Sequence, residues 1–246
     1  MIKFFRKIRQ KLLQENRFSK YMLYALGEII LVVIGILLAL KINNWNQILK
    51  DRDFAQESMN GLKFDLTNDL SKLDTVIQKS IKDSTDLGQI RKKISQENIS
   101  LDTLIHLARF EFTPWIHLGI SFQKNTVTSL LSTGKISLLP REIQQSLLYL
   151  SALQNEYHQQ CSDDVGIYLD NTIYYSRKYT FRDDGHIDPN SKLANVIWAN
   201  ATLAELGAEF NGLIGVKYSD YQGLIPYLQE IRQETNKLLD LLESNK

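Results

Sequence analysis

The residue best placed to do chemistry is Glu28, a carboxylate inside the otherwise apolar run YMLYALGEIILVVIGILLALKI from Tyr21 to Ile42. An ionised carboxylate is expensive in hydrocarbon unless it is paired or protonated, so a Glu here needs a reason. Gly27, Leu31, Gly35 and Ala39 follow one another at four-residue steps beside it. Small residues on one helical face let a second helix approach closely. The preferred reading is a transmembrane helix contact through Gly27, Glu28, Leu31, Gly35 and Ala39, with a neutral or hydrogen-bonded Glu28 fixing the register. Two other roles stay open: a Glu that snorkels to the headgroups, and a proton-transfer group.

Other chemistry-bearing residues carry less. His158 and Cys161, with Asp163 and Asp164 close behind, share a helix face at i and i+3, which suits a metal, but Cys161 also fits an apolar seam as a small core residue. Asp183, Asp184 and Asp188 surround Gly185 without the spacing of a calcium loop or its terminal Glu. His106 and His117 have no nucleophile at a meaningful spacing, and the chain lacks GxSxG, HExxH, a P-loop and GxGxxG. No catalytic residue, metal or cofactor is assigned, and an enzyme is not expected. Phe110, Phe112, Trp115 and Phe122 surround Pro114, either lining a ligand groove or, the preferred reading, plugging the end of a helical bundle.

The element that must position Glu28 is a membrane span. Tyr21–Ile42 is about 22 residues, or about 33 Å of helix, matching the hydrocarbon core. Thirteen Leu, Ile or Val residues favour insertion by about 4–8 kcal/mol, against a cost of at most about 3.5 kcal/mol for Glu28. Tyr21, Tyr24 and Trp45 stand where interfacial aromatic anchors form. Lys3, Arg6, Lys7, Arg9, Lys11, Arg17 and Lys20 precede the span against a single Glu15, leaving 22 basic and 27 acidic residues after Lys20. The positive-inside rule then places the N-terminus in the cytoplasm. With Phe4, Phe5, Ile8, Leu12 and Leu13 interleaved, residues 1–20 read as a basic amphipathic head on the anionic inner leaflet, preferred over a protein-docking peptide. A cleaved signal peptide is the main competitor, but no small-x-small site follows the apolar run. A buried helix of a soluble protein would be apolar on one stripe, not all round. The acidic body has no basic, aromatic-interleaved stripe, so nucleic acid is not an expected partner. With Cys161 as the single cysteine, packing alone must hold the fold.

The segment GEIILVVIGILLALKINNWN, after FFRKIRQKLLQENRFSKY, resembles a family of uncharacterised single-pass membrane proteins of Bacteroidota, a domain of unknown function with the signature GEI-x-LVVIGIL-x-AL-x-INNWN. SLLSTGKISLLP looks like a weaker second hallmark of that family. The resemblance implies an inner-membrane, periplasm-facing protein and brings no activity, ligand or catalytic residue.

Downstream, Leu62, Leu66, Leu70, Leu73, Ile77 and Ile81 step by four and three, predicting that the helix continues outward. Ser100 caps a short helix through Phe110, and 111–122 reads as an irregular cover with Pro114 and Gly119. Thr126–Thr133 reads as a helix stopped by Gly134, with Pro140 in the first turn of the next. Ile143, Leu147, Leu150, Tyr157, Cys161, Val165, Tyr168, Thr172 and Tyr175 mark a second long helix. RDDGHIDPN, 182–190, reads as a loop. Leu193, Ile197, Ala201 and Ala204 start another stripe, and Leu224, Leu228, Ile231, Leu238 and Leu242 mark the tail. Gly207, Gly212, Gly215 and Gly223 leave the junction between them open.

The expected architecture is all-α: a transmembrane helix (21–42) continuing into an extracytoplasmic bundle of three or four long helices (43–246). The expected role is a membrane-anchored periplasmic scaffold or interaction protein in the bacterial inner membrane, single-pass, partnered by the lipid bilayer and by itself or another membrane protein. The alternatives are a periplasmic ligand-sensing module, and an accessory subunit of a proton-driven envelope machine using Glu28.

Overall fold

No proline precedes Pro114, and the first ninety-odd residues are rich in Leu, Ile, Lys and Gln, so nothing in them interrupts a helix. The computed structural model describes residues 18–181, 187–188 and 190–245, with only the backbone of Phe18, Lys20 and Tyr21. Its first helix, α1, runs unbroken over Phe18–Ile94, 77 residues, and ends on Arg91, Lys92 and Lys93, cations that complement the helix dipole. The predicted basic residues Lys3 to Arg17 lie outside the described residues, as do Asp183, Asp184, Gly185 and Pro189.

Five further α-helices follow: α2 (Leu101–His106), α3 (Asn125–Ser132), α4 (Arg141–Ser176), α5 (Lys192–Ala199) and α6 (Leu203–Ser244). Among the described residues all regular structure is helical. The chain divides into two compact units, Met1–Glu57 and Ser58–Lys246.

In the second unit α4 packs along α6. Of the predicted α4 stripe, Ile143, Leu147, Leu150, Tyr157, Cys161, Tyr168 and Tyr175 are buried, and Val165 and Thr172 are half-buried. α6 runs straight through Gly207, Gly212, Gly215, Gly223 and Pro226, so the open junction is one continuous helix. Its start lies at Thr202, whose side chain accepts the Glu205 N–H, and burial of Leu224 and Leu228 on either side of Pro226 offsets the donor that proline removes. Of the stripe expected from Leu193, Ala201 is buried and Ile197 half-buried, but Leu193 and Ala204 are exposed and Ala194 and Trp198 face inward, because the Trp198 ring stacks on Tyr179 and its Nε1 donates to Thr180 Oγ1 at 3.1 Å.

Local signals of chain direction hold at two turns. Ser100 accepts the Thr103 N–H at the start of α2, which continues through a wider turn over Leu107–Glu111. Gly134 closes the α3 end at φ 68°, where a Cβ is unfavourable. Gly134→Ala is expected to cost about 1–2 kcal/mol, read as a lower denaturation midpoint with unchanged helix content. At Gly61 smallness matters for a different reason: a Cβ there would stand 3.1 Å from Thr126 Oγ1, which is engaged with Asp65 Oδ2 at 2.6 Å.

The α1 seam differs from its apolar reading. Leu62, Leu66, Leu73 and Ile77 are buried, but Asp69, Ser80 and Ser84 occupy the intervening seam positions, while Leu70 is half-buried and Ile81 is exposed. Asp69 and Ser80 stand there because what lies against them is open backbone, while Ser84 accepts from Gln222 Nε2 of α6 at 3.0 Å.

Candidate functional site

That open backbone is an extended strap, 112–124, between α2 and α3. It pairs with no other strand, so each buried N–H and C=O must find a side chain. Phe112, Pro114 and Leu118 point inward and are buried, whereas Thr113, Trp115, His117, Gly119 and Ser121 are exposed. This two-residue alternation is the period of extended chain, and it went unread behind Pro114 and Gly119.

Three helices supply the missing hydrogen bonds. From α6, Lys217 Nζ donates to Thr113 O at 2.5 Å. From α4, Tyr168 and Tyr157 hydroxyls donate to Pro114 O and Leu118 O, each at 2.5 Å. From α1, Ser80 Oγ donates to His117 O at 2.5 Å and Lys72 Nζ to Ser121 O at 3.0 Å. Both oxygens of Asp69 accept the Gln123 N–H at 3.0 Å. Tyr221 works both ways: its hydroxyl accepts the His117 N–H at 3.0 Å and donates to Asp83 Oδ2 at 2.8 Å. The His117 ring closes the group through Nδ1, 2.6 Å from the same Asp83 oxygen.

Electrostatics suit this holding role. Burial pushes the hydroxyls of Tyr157, Tyr168 and Tyr221 well above the usual phenol range, so they remain proton donors at every physiological pH. Burial also raises the Asp69 carboxyl, opposed by the Gln123 N–H and by Lys72. Lys217, 2% exposed, has its ammonium over the faces of Phe112 and Tyr168 at 5.2 and 5.8 Å, a setting that stabilises a buried cation. One group does not fit. Asp220, between Lys217 and Tyr221 on α6, is 8% exposed with Oδ2 buried and lacking a hydrogen-bond partner. Burial, then the nearby charge of Asp164, pushes its carboxyl up to about 6.

The His117–Asp83–Tyr221 group has the look of an oriented base, yet its buried serine, Ser80, is committed to the His117 carbonyl. The arrangement can bind and clamp backbone; it presents no nucleophile to a substrate. His158 is exposed while Cys161 is buried, and burial raises the Cys161 thiol, so the two do not converge. Among the described residues no three His, Cys, Asp or Glu side chains gather as a metal site. The aromatic cluster expected around Pro114 is dispersed: Trp115 is 56% exposed, Phe110 lies tilted against His106 at 5.5 Å, and Phe112 joins Phe181 and Phe210. Sequence reading missed Asp69, Ser80, Asp83, Lys217, Asp220 and Tyr221, whose one signal is a polar residue standing at a seam position.

In the first unit the apolar part of α1 is long and apolar enough to cross a membrane, with a mean hydropathy of 2.6 over its 18-residue window and none of that window buried. Burial of zero excludes the core of the described residues as the place this segment hides. On its predicted contact face Leu31 is 73% exposed, Ala39 is exposed and Glu28 half-buried. A Cβ added at Gly27 or Gly35 would meet nothing within 4 Å. Of the predicted anchors, Tyr24 and Trp45 are 57% and 64% exposed.

Residues 28–143 match the family described as family of unknown function (DUF6090). This is a little under half of the chain, from Glu28 through the strap to the first turn of α4, and is consistent with an uncharacterised family. It takes in the α1 partners Asp69, Ser80 and Asp83 but not those on α6. Comparison with curated proteins and with solved structures gives no match.

Proposed function

We propose that this protein is a membrane-anchored helical scaffold: α1 crosses a bacterial inner membrane once, the basic head 1–20 stays in the cytoplasm, and 43–246 forms a periplasmic helical bundle. It acts by association with itself or another membrane protein through Gly27, Glu28, Leu31, Gly35 and Ala39. The carrying observation is that the whole apolar window is unburied and that both glycines of this face open onto space, so their smallness serves nothing within the described chain. The orientation is supported by seven Lys or Arg before Tyr21. The cavity bordered by Leu62, Asp65, Leu66 and Leu147 holds ≈ 10 Å³, room for about one water, which leaves no place for a larger ligand there.

Topology is tested with reporters fused after Lys246. Alkaline phosphatase, active only outside the cytoplasm, is expected to be active and a cytoplasm-dependent fluorescent protein dark; the reverse pattern overturns the reading. Association is tested by crosslinking a Gly35→Cys chain in membranes, with Cys161→Ala as background. Glu28→Gln is expected to retain the crosslink, whereas Glu28→Leu loses about 1–2 kcal/mol of association, roughly 5–30-fold. Equal crosslinking by Glu28→Leu removes Glu28 from the contact.

A further inference from the structure

α1 and the strap run in register. Ser80 Oγ donates to His117 O and Lys72 Nζ to Ser121 O, so a step of eight residues on α1 answers a step of four on the strap. The lengths agree, about 12 Å of helix against about 13 Å of extended chain. Halfway between them stand Val76 on α1 and Gly119 on the strap, and there the series is broken. Val76 has no group that bonds a backbone, and the Gly119 N–H and C=O have no hydrogen-bond partner among the described residues.

The direction of those two groups follows from their neighbours. Thr113, His117 and Ser121 turn their carbonyls to α6 or α1, whereas Pro114 and Leu118 turn theirs to α4. This alternation is the two-residue period of extended chain, and it turns the polar groups of Gly119 toward α1. A groove of ≈ 340 Å³ opens there, bordered among others by Lys72, Thr75, Val76, Gly119, Ile120 and Ser121, a size that suits a small ligand. Gly119 is exposed, so a molecule in the groove reaches its backbone. Nothing within the chain requires glycine at this position: its φ is not positive, and an added Cβ would meet nothing within 4 Å. The missing side chain keeps the groove open.

The other polar groups say what fits. Lys72 lies 3.4 Å from the buried Asp69 carboxylate and donates to Ser121 O, so its charge is already matched and an anion is not called for. The Thr75 hydroxyl is turned back to Ser71 O at 3.0 Å. What is left is one donor and one acceptor side by side on Gly119, between the half-buried aliphatic side chains of Val76 and Ile120. A neutral amide carries the complementary acceptor and donor on one rigid plane.

We propose that this groove binds an amide group on an aliphatic stem, its oxygen accepting the Gly119 N–H and its own N–H donating to Gly119 O. The stem lies against Val76 and Ile120. The site does not depend on whether α1 crosses a membrane.

The full chain in non-ionic detergent at pH 7 is titrated with n-butyramide while its amide resonances are followed by NMR. A saturable downfield shift of the Gly119 N–H is expected, with Val76 and Ile120 moving alongside it. 2-Pentanone, which has a methyl in place of the amide nitrogen, keeps the acceptor and loses the donor, and should bind about fivefold or more weakly. Gly119→Val covers the backbone groups with a side chain suited to extended chain, and should abolish the shifts at Val76 and Ile120. Val76→Ala strips two methyl groups from the wall while leaving the bonds of the strap in place, and should weaken binding about 3–5-fold. A second arm uses acetyl-Ala-Gln-Ala-amide and its norleucine counterpart. A tighter glutamine peptide identifies a partner's side chain as the source of the amide, equal peptides tighter than butyramide identify a partner's backbone, and peptides weaker than butyramide identify a free amide. The proposal is overturned if the Gly119 N–H does not shift, if 2-pentanone binds as tightly as butyramide or butyrate more tightly, or if Gly119→Val with an undisturbed His117 amide binds as the parent does. Should Gly119→Val displace the strap, unchanged affinity in Val76→Ala overturns it instead.

Discussion

Tyr221→Phe is expected to lower the unfolding free energy by about 2–4 kcal/mol and to free the strap. Tyr221 is fully buried, and Phe fills the same volume, so no cavity opens. What is lost is a hydroxyl that serves two groups, the His117 N–H at 3.0 Å and Asp83 Oδ2 at 2.8 Å. A buried donor left without an acceptor costs about 1–3 kcal/mol, and a hydrogen bond to a charged group contributes about 1.5–3 kcal/mol. Asp83 keeps the His117 ring, which limits the sum. Denaturation of the full chain in detergent measures the stability, and amide exchange at His117 measures the release. Tyr227→Phe is the control: its hydroxyl makes one exposed bond of 3.4 Å to Glu156, and a change within about 0.5 kcal/mol is expected. If the two variants are equally stable and the His117 amide stays protected, the Tyr221 hydroxyl takes no part in holding the strap.

Asp220→Asn should stabilise the protein at pH 7.5 by about 1–3 kcal/mol, and that advantage should fade as the pH falls to 4. The ordinary Asp value is 3.8, and burial followed by the charge of Asp164 lifts it to about 6 in the folded chain. Between those values the folded state binds more protons than the unfolded state, so stability falls as pH rises through the window and the full penalty is present above about 6. A shift of this size corresponds to at most about 3 kcal/mol. Asn cannot ionise, so the difference between the two proteins, followed by denaturation across pH 4 to 8, isolates this group from every other carboxylate. A difference that does not change with pH, or a variant less stable throughout, would show that the unpartnered oxygen carries no ionisation cost. The strap partners Lys217 and Tyr221 flank Asp220 on α6, so its charge acts where the strap is clamped.

Much of the fold can be read from residue types that act locally. Ser100 caps α2 because its hydroxyl reaches the Thr103 N–H, and Gly134 ends α3 because it accepts a positive φ. The α4 stripe from Ile143 to Tyr175 is buried as its spacing predicts except at Val165 and Thr172, which are half-buried. The tail was harder. Four glycines and Pro226 argue locally for a break, yet α6 is continuous, since burial of Phe210, Leu213, Ile214, Leu224 and Leu228 along one face outweighs propensities of about 1 kcal/mol per glycine.

The polar site was illegible for a related reason. Counting apolar residues selects Leu70 and Ile81 for the α1 seam, but the structure gives those inward places to Asp69, Ser80 and Ser84. Each bonds a group far away in sequence: Gln123, His117 and Gln222. The value of Asp69 and Ser80 there depends on a strap whose own alternation is masked by Pro114 and Gly119.

The sequence by itself determined that the chain is helical and that α1 carries an unbroken apolar segment, because propensity, capping and hydropathy act within a few residues of one another. Tertiary structure alone decided where 112–124 lies, which tyrosines and which lysine hold it, and that Asp220 is shut away without a partner. Those outcomes depend on desolvation and on hydrogen-bond geometry between residues as many as 138 positions apart, distances over which no local pattern carries information.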